Sequence, residues 1–221
     1  MIGELFNNPV GFLLYIVALV LAITVHEFAH ALLADHLGDP TPRLQGRLTL
    51  NPLAHLDPVG SIMMLLARFG WGKPVIFDPF NLRHPRRDTA IISIAGPISN
   101  LLVASLASGI LHALIYWHLA NGIVGLLLFS FLQPVIMLNV VLAIFNLVPI
   151  HPLDGFKIVG GILPPEYARQ WNELEPYGMI FLIFMIFPFF GGVAPINQLI
   201  NPAISMILRL LLPSMGSAGL M

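Results

Sequence analysis

The sequence predicts an all-α polytopic membrane protein with about five transmembrane helices, and two observations carry that prediction. The first is composition: of 221 residues, 57% are hydrophobic and only 10% are charged, whereas soluble domains contain roughly 25% charged residues. The second is a series of apolar runs that approach the roughly 17 to 25 residues needed to cross a hydrocarbon core. We therefore expect a single domain, residues 1–221, embedded in the lipid bilayer.

Three long apolar runs and a weaker C-terminal pair are the predicted spans. The long runs cover residues 9–34, 89–117 and 123–149, and the C-terminal helical pair (177–212) covers residues 177–190 and 195–212. The first run is too long for the core of a signal peptide, and no small-residue cleavage site follows it. We therefore expect the first run to stay in the protein as a membrane span.

Two shorter segments lie between the first two spans. Residues 58–69 (PVGSIMMLLARF) are apolar over only about a dozen positions, which favours a re-entrant or interfacial half-helix over a full span. Residues 46–50 (GRLTL) alternate polar and apolar side chains and stop at Asn51 and Pro52, which is typical of a short β-strand. The sequence thus predicts one half-helix and one short β segment in this connection.

The positive charges fall in the loops on one side of the predicted spans, apart from Arg209, which lies close to the end of the last span and agrees with a cytoplasmic C-terminus. The opposite segments, residues 1–8, 118–122 and 189–194, contain no Lys or Arg. The positive-inside rule therefore places the N-terminus outside the cell and both basic loops in the cytoplasm. The basic residues of these loops are Arg43, Arg47, Arg68, Lys73, Arg83, Arg86, Arg87, Lys157 and Arg169.

Composition also limits the possible chemistry. The net charge is −1 and there is no long basic block, so no nucleic-acid partner is expected. The chain contains no cysteine, which excludes disulfides, thiolate ligands and cysteine nucleophiles. Any metal must therefore be held by His, Asp or Glu.

Three ionisable residues interrupt the first apolar run. His26 and His30 lie four positions apart on a helix, so they share one face and can present two imidazole nitrogens to one metal ion. Glu27 lies about 100° around the helix from His26, beside that ion. This is the His-Glu-x-x-His pattern of zinc hydrolases, in which the glutamate accepts a proton from the attacking water. A packed polar cluster is the alternative, but a charge at mid-bilayer costs about 2.5 to 3.5 kcal/mol.

A catalytic zinc has three protein ligands and one open position, so a third ligand is needed. Asp35, nine residues after His26, faces the opposite side of the helix. Asp154 follows the prolines of NLVPIHPLDG (residues 146–155), where unwound backbone can direct its carboxylate inward. The alternative is a turn that only ends the helix. The first and third spans run in the same direction, however, which brings Asp154 to the depth of His30.

The segments HEFAH (residues 26–30) and NLVPIHPLDG together resemble the site-2 protease family of intramembrane zinc metalloproteases, in its small prokaryotic branch without PDZ or CBS modules. Residues 46–61 and 94–100 share the resemblance, which covers the core of the chain at about residues 10–160. It implies hydrolysis of peptide bonds within or near the transmembrane segments of single-pass membrane proteins, which is regulated intramembrane proteolysis. It also implies a multi-pass protein of the cell membrane with its active site toward the cytoplasm and the β segment nearby.

The resemblance further implies a role for individual residues. The implied ligands of one Zn²⁺ per chain are His26, His30 and Asp154. Glu27 would be the general base, and Asn146 would help to place the scissile peptide. Where many relatives have a small residue this chain has His151, which is either a spare ligand or a polar residue of the turn.

Two interpretations stay open for other polar positions. His55, in the loop before the half-helix, either approaches the metal or is a structural residue. Residues 96–100, with Gly96, Pro97 and Asn100, either open a water path from the cytoplasm or form a helix kink with a capping amide.

Two other classes of protein are compatible with the pattern. A metal transporter could also use intramembrane His and Asp, but transporters place ligands at several depths and often contain an inverted repeat, and the sequence shows neither. A protease-dead scaffold that binds transmembrane helices is the second alternative, and the presence of Glu27 argues against it. The sequence therefore favours the protease.

Overall fold

The computed structural model describes residues 7–67, 71–119, 122–188 and 192–213. These residues are mostly helical, with short 3₁₀ turns at Pro52–Ala54 and Pro79–Asn81. The α-helices of this part of the chain are α1 (Pro9–Leu37), α2 (Thr41–Leu44), α3 (Pro58–Ala67), α4 (Pro85–Tyr116), α5 (Ile123–Asn146), α6 (Asp154–Ile162), α7 (Pro165–Asn172), α8 (Glu175–Ile186) and α9 (Pro195–Leu211).

Three of the helices are long and apolar enough to cross a membrane. They are α1, α4 and α5, with 29, 32 and 24 residues, so each is at least about 36 Å long. This confirms three of the predicted spans, and the protein is a membrane protein. The C-terminal pair is also helical, but α8 has 12 residues and α9 has 17, so the count of five spans is not confirmed.

The bounds of α1 follow from its end residues. Asn8 precedes the helix and its Oδ1 accepts a hydrogen bond of 2.9 Å from Gly11 N, which is the usual N-cap interaction, while Pro9 takes the first helical position. At the other end, Gly38 has φ of 113°, a left-handed conformation that glycine adopts without strain. The apolar run therefore forms one uninterrupted helix that carries the His-Glu-x-x-His segment.

The core lies where α1, α4 and α5 pack against one another. Its fully buried members include Ala18 of α1, Ala104 of α4 and Val140 of α5. Small side chains let helix backbones approach closely, and such packing holds helices together where lipid is as apolar as the protein. The close approach of these three helices brings polar residues of different spans into contact.

The predicted β-strand at residues 46–50 is wrong. This segment is irregular because side chains satisfy its backbone and that of its neighbours. Arg47 is buried, with 4% exposure, and donates hydrogen bonds to the carbonyl oxygens of Ala54 and Lys73. His55 Nε2 donates to the carbonyl oxygen of Thr49 over 2.8 Å. These contacts replace the ladder that a β-strand would need.

The β structure of the described residues is instead an isolated antiparallel bridge between Leu56 and Gly72. A Cβ atom at Gly72 would lie 2.8 Å from Ile23 Cγ2, so glycine allows this loop to touch α1. The bridge thus holds the loop that follows α3 against the helix of the His-Glu-x-x-His segment.

The predicted half-helix at residues 58–69 is a helix over Pro58–Ala67, and its last two positions lie outside the described residues. Ten residues extend only about 15 Å, too short to cross a bilayer. A short helix is therefore confirmed here, and its re-entry into the bilayer stays a prediction.

Asp39, just beyond α1, anchors the loop before α4. It is 0% exposed and its carboxylate accepts hydrogen bonds from Thr41 N (3.1 Å), Thr41 Oγ1 (2.6 Å), Asp78 N (2.7 Å) and Asn81 Nδ2 (2.8 Å). Burial alone would raise the pKa of Asp39, but these hydrogen bonds outweigh burial and hold that pKa below its ordinary value.

This lowered pKa gives a pH-dependent stability. Because the folded-state pKa lies below the unfolded one, the ionised Asp39 contributes stability above pH ~4 that is lost as the pH falls through the lowered value. We expect Asp39→Ala to destabilise the protein by about 1 to 3 kcal/mol at neutral pH, because it leaves buried donors unpaired. The midpoint of thermal unfolding in detergent measures both the pH dependence, when recorded at several pH values, and the destabilisation by Asp39→Ala. Glu166→Gln, at an exposed position of α7, is the control and should change the midpoint little.

Candidate metal centre

Two histidines of α1 and the first residue of α6 converge on one point. His26 Nε2 and His30 Nε2 lie 3.0 Å and 3.3 Å from Asp154 Oδ2, and the two imidazole centroids are 4.6 Å apart. Tetrahedral ligands at about 2.0 to 2.2 Å from a zinc ion lie about 3.4 Å from one another. The three donor atoms therefore have the spacing of a single Zn²⁺ site.

The second nitrogen of each imidazole has a fixed partner. His30 Nδ1 lies 2.8 Å from the carbonyl oxygen of Ile92, and His26 Nδ1 lies 2.6 Å from Asn100 Oδ1. Both partners are acceptors, so each Nδ1 carries the hydrogen and each Nε2 presents a lone pair. Three acceptor atoms thus face one another, an arrangement that a cation among them balances. The residues present fit Zn²⁺ by donor type, spacing and tautomer.

Gly96 places the backbone of α4 directly against both imidazoles. A Cβ atom at this position would lie 2.5 Å from His30 Nε2 and 2.6 Å from His26 Cε1, closer than real contacts allow. Pro97 and Asn100 next to it are fully buried. The interpretation of Asn100 as a capping amide is wrong, because its amide bonds to other helices rather than to its own.

The turn between α5 and α6 sets the position of Asp154. A Cβ atom at Gly155 would lie 2.4 Å from the carbonyl oxygens of Leu147 and Val148, so glycine lets α6 start tightly beneath the end of α5. Phe156 then stacks on Trp171 with centroids 5.1 Å apart, and Trp171 Nε1 donates to the Phe156 carbonyl oxygen over 2.9 Å. These contacts hold α6 against α7 and direct the Asp154 carboxylate toward α1.

Glu27 lies beside the cluster and has a partner of its own. Its Oε2 accepts a hydrogen bond of 2.8 Å from the backbone N–H of Val75, in the loop that Asp39 anchors. Burial lowers the pKa of Arg47, and the negative charge of Glu27 partly opposes that shift. The carboxylate is thus held in place by main chain and lies in the field of a buried guanidinium.

The other candidate residues lie outside the cluster. Within the described ranges, the group of His, Asp and Glu that could hold a metal consists of His26, His30 and Asp154. Asp35 is not part of the cluster, as its helical position predicted, and it pairs with Arg43. Asn146 Nδ2 donates to the Leu142 carbonyl oxygen over 2.9 Å. His151 Nδ1 lies 3.7 Å from Glu175 Oε1, and His55 is bonded to Thr49.

Comparison with known proteins identifies the family. Over 187 residues the chain is 41% identical to the Bacillus subtilis (strain 168) protein named "Putative zinc metalloprotease YwhC", an alignment that covers 81% of this chain and 84% of the relative. The chain belongs to the site-2 protease family. It is a zinc metalloprotease, and its cofactor is Zn²⁺.

More distant relatives of this site-2 protease carry similar names. The protein of Mycolicibacterium smegmatis named "Putative zinc metalloprotease Rip2" is 30% identical to the chain over 182 residues. This alignment covers 79% of this chain and 67% of the relative. "Zinc metalloprotease MJ0392" of Methanocaldococcus jannaschii is 23% identical over 165 residues, 75% of this chain and 39% of the relative. No family model and no solved structure matches the chain.

Sequence reasoning missed three contacts of this site-2 protease. They are the hydrogen bond between Asn100 and His26, the packing of Gly96 on both imidazoles, and the hydrogen bond from Val75 N to Glu27. The sequence did contain a signal for the bond between Asn100 and His26, because an amide in the middle of an apolar span is costly unless it is hydrogen-bonded. The other two involve backbone atoms and leave no side-chain pattern in the sequence.

Proposed function

We propose that this protein is an intramembrane endopeptidase that hydrolyses peptide bonds within or near the transmembrane segments of single-pass membrane proteins, in regulated intramembrane proteolysis. The observation that carries the proposal is the convergence of His26, His30 and Asp154 inside a bundle of three helices long enough to cross a membrane.

The depth of the cluster along α1 supports the intramembrane location. The 29 residues of α1 extend about 44 Å, which places His26 and His30 about 5 Å and 10 Å from the midpoint of the helix. Half of a hydrocarbon core is about 15 Å. A span centred on the bilayer therefore holds both histidines within the hydrocarbon layer, where the peptide bonds within reach belong to membrane segments.

The assigned roles follow from the contacts of each residue. We assign His26 Nε2, His30 Nε2 and Asp154 Oδ2 as ligands of one ion. When bound, Zn²⁺ lowers the pKa of a water molecule and polarises the scissile carbonyl. Glu27 accepts the proton that the attacking water loses and passes it to the departing amine nitrogen. The N–H of Val75 keeps that carboxylate directed at the site.

Asn146 is assigned to the oxyanion. One hydrogen of its amide is donated to Leu142, and an amide nitrogen carries two. The second hydrogen remains for the developing negative charge on the scissile carbonyl oxygen. A substrate helix must unwind locally before attack, because its peptide groups are otherwise bonded to one another.

The location of the cut tests the proposal. Tagged single-pass proteins are co-expressed with the wild-type protein or with Glu27→Gln, and the products are measured by mass spectrometry. We expect cleavage by the wild type alone, at bonds inside or within a few residues of the substrate's apolar segment. Products cut only within soluble domains would contradict the intramembrane assignment.

The orientation of the protein in the cell membrane is a separate prediction. The distribution of Lys and Arg supports a multi-pass topology in which the loops before and after α3 face the cytoplasm. Because the chain has no cysteine, single cysteines report topology directly. We expect Gln45→Cys and His84→Cys to react with a membrane-impermeant maleimide only after permeabilisation, and His118→Cys to react in intact cells. Labelling of position 45 or 84 from outside would reverse the assigned orientation.

A further inference from the structure

Two asparagines are buried in the middle of the helix bundle. Asn100 of α4 and Asn139 of α5 are each 0% exposed, and both helices are candidate membrane spans. An unbonded amide is strongly disfavoured at such a position, because neither water nor lipid can satisfy it. Both side chains must therefore find their hydrogen-bond partners within the bundle.

The bonds form one chain from α5 through α4 to α1. Asn139 Nδ2 donates to the carbonyl oxygen of Val135 over 2.8 Å, and its Oδ1 accepts from Asn100 Nδ2 over 2.7 Å. Asn100 Nδ2 also donates to the carbonyl oxygen of Ala22 over 3.0 Å. A backbone carbonyl is only an acceptor, so these two carbonyls determine which end of each amide is the nitrogen.

The direction of this chain determines the state of His26. With its nitrogen held by Ala22 and Asn139, Asn100 can turn only its oxygen toward His26 Nδ1, 2.6 Å away. Nδ1 must then carry the hydrogen, and the lone pair of Nε2 points at Asp154, 3.0 Å away. His30 does not depend on side chains in this way, because its Nδ1 bonds to the main chain of Ile92.

We propose that Asn139 and Asn100 form a positioning relay for the metal centre. Asn139, whose side chain bonds to Val135 and Asn100, orients the amide of Asn100, and Asn100 holds the His26 imidazole in the tautomer and rotation that bind Zn²⁺. The relay rests on the proposed role of His26 as a ligand. Partners of ligating histidines of this kind contribute about 10- to 100-fold in metal affinity.

The Zn²⁺ affinity of the purified full chain in detergent tests the relay, measured by competition with a chromophoric chelator. Asn139→Leu keeps the number and branching of side-chain heavy atoms but removes the acceptor for Asn100, and we expect about tenfold weaker binding. Asn139→Asp should restore most of the affinity, because a carboxyl group buried among apolar residues stays protonated and can both donate to Val135 and accept from Asn100. We expect Asn100→Leu to weaken binding by up to about 100-fold.

A second measurement separates positioning from packing. The absorption spectrum of the Co²⁺-substituted protein reports ligand geometry, and it should change in Asn139→Leu and not in Asn139→Asp. Ser108→Ala is the matched control: Ser108 is also buried in α4 and donates to the Leu211 carbonyl oxygen over 2.5 Å, away from the relay. The control loses a buried hydrogen bond and should bind Zn²⁺ as the wild type does.

Each outcome decides the proposal. Wild-type affinity and spectrum in Asn139→Leu would overturn the relay, and so would equal losses in Asn139→Leu, Asn139→Asp and Ser108→Ala, which would indicate packing alone. If Asn139→Leu does not fold, Asn139→Ala removes the same acceptor and the same criteria apply. His26→Ala separates a failure of the relay from a failure of the ligand assignment. Wild-type Zn²⁺ binding by His26→Ala would refute the ligand assignment itself. Loss of binding in His26→Ala together with normal binding in Asn139→Leu would refute only the relay.

Discussion

Replacing Glu27 with Gln is expected to lower the cleavage rate by about 10²- to 10⁴-fold, the usual contribution of general acid–base catalysis. Zn²⁺ content should stay near that of the wild type, because Glu27 is not one of the three converging donors. The glutamine oxygen can still accept the hydrogen bond from Val75 N, so the local structure is expected to persist. Elemental analysis and the cleavage rate of the same preparation measure the two effects.

The ligand variants should differ from Glu27→Gln in their Zn²⁺ content. His26→Ala, His30→Ala and Asp154→Ala each remove one converging donor, so we expect loss of bound Zn²⁺ together with activity. Glu166→Gln makes the same chemical change as Glu27→Gln, but at an exposed position of α7. It is the matched control and should retain both the bound Zn²⁺ and the activity. Full zinc content in Asp154→Ala would refute the third ligand, and equal cleavage by Glu27→Gln and the wild type would refute the general base.

Gly96→Ala is expected to weaken Zn²⁺ binding strongly through a single methyl group. The added Cβ would lie 2.5 Å from His30 Nε2 and 2.7 Å from His26 Nε2, so α4 or the imidazoles must shift. Shifted imidazoles no longer present both lone pairs to one ion, because a zinc site tolerates only small changes in ligand distance. We expect at least about 100-fold weaker Zn²⁺ binding and no detectable cleavage.

Gly109→Ala on the same helix is the control for this prediction. A Cβ atom at Gly109 meets nothing within 4 Å, and alanine favours a helix interior over glycine by about 0.5 to 1 kcal/mol. Gly109→Ala should therefore bind Zn²⁺ normally and unfold at an equal or slightly higher temperature. Normal Zn²⁺ affinity in Gly96→Ala would mean that the contact between α4 and the imidazoles does not constrain the site.

The sequence alone predicted the features that depend on neighbouring residues along the chain. The spacing of His26 and His30 on one helix follows from helical periodicity, and the lengths of α1, α4 and α5 follow from apolar runs. The convergence of Asp154 with these histidines was predicted from the direction of two spans and from family motifs. The structure brings these three side chains together.

The alternation of polar and apolar residues led to a wrong prediction at residues 46–50. The alternation of GRLTL is that of a β-strand, but Arg47 turns inward and binds the carbonyl oxygens of Ala54 and Lys73. A buried guanidinium requires several acceptors, and loops distant from the segment supplied them. Periodicity describes which side chains share a face, and it does not reveal that one charged side chain will organise two loops.

What the sequence by itself determined about this protein is the zinc-protease motif, its place in a membrane span, and Asp154 as a residue brought to the same depth. Only the tertiary structure decided the surroundings of that motif: the Gly96 backbone against both imidazoles, the Val75 N–H on Glu27, and the bonds from Asn139 through Asn100 to His26. These contacts depend on the rotation and depth of each helix relative to the others, which packing across three helices sets and which no periodicity within one helix specifies.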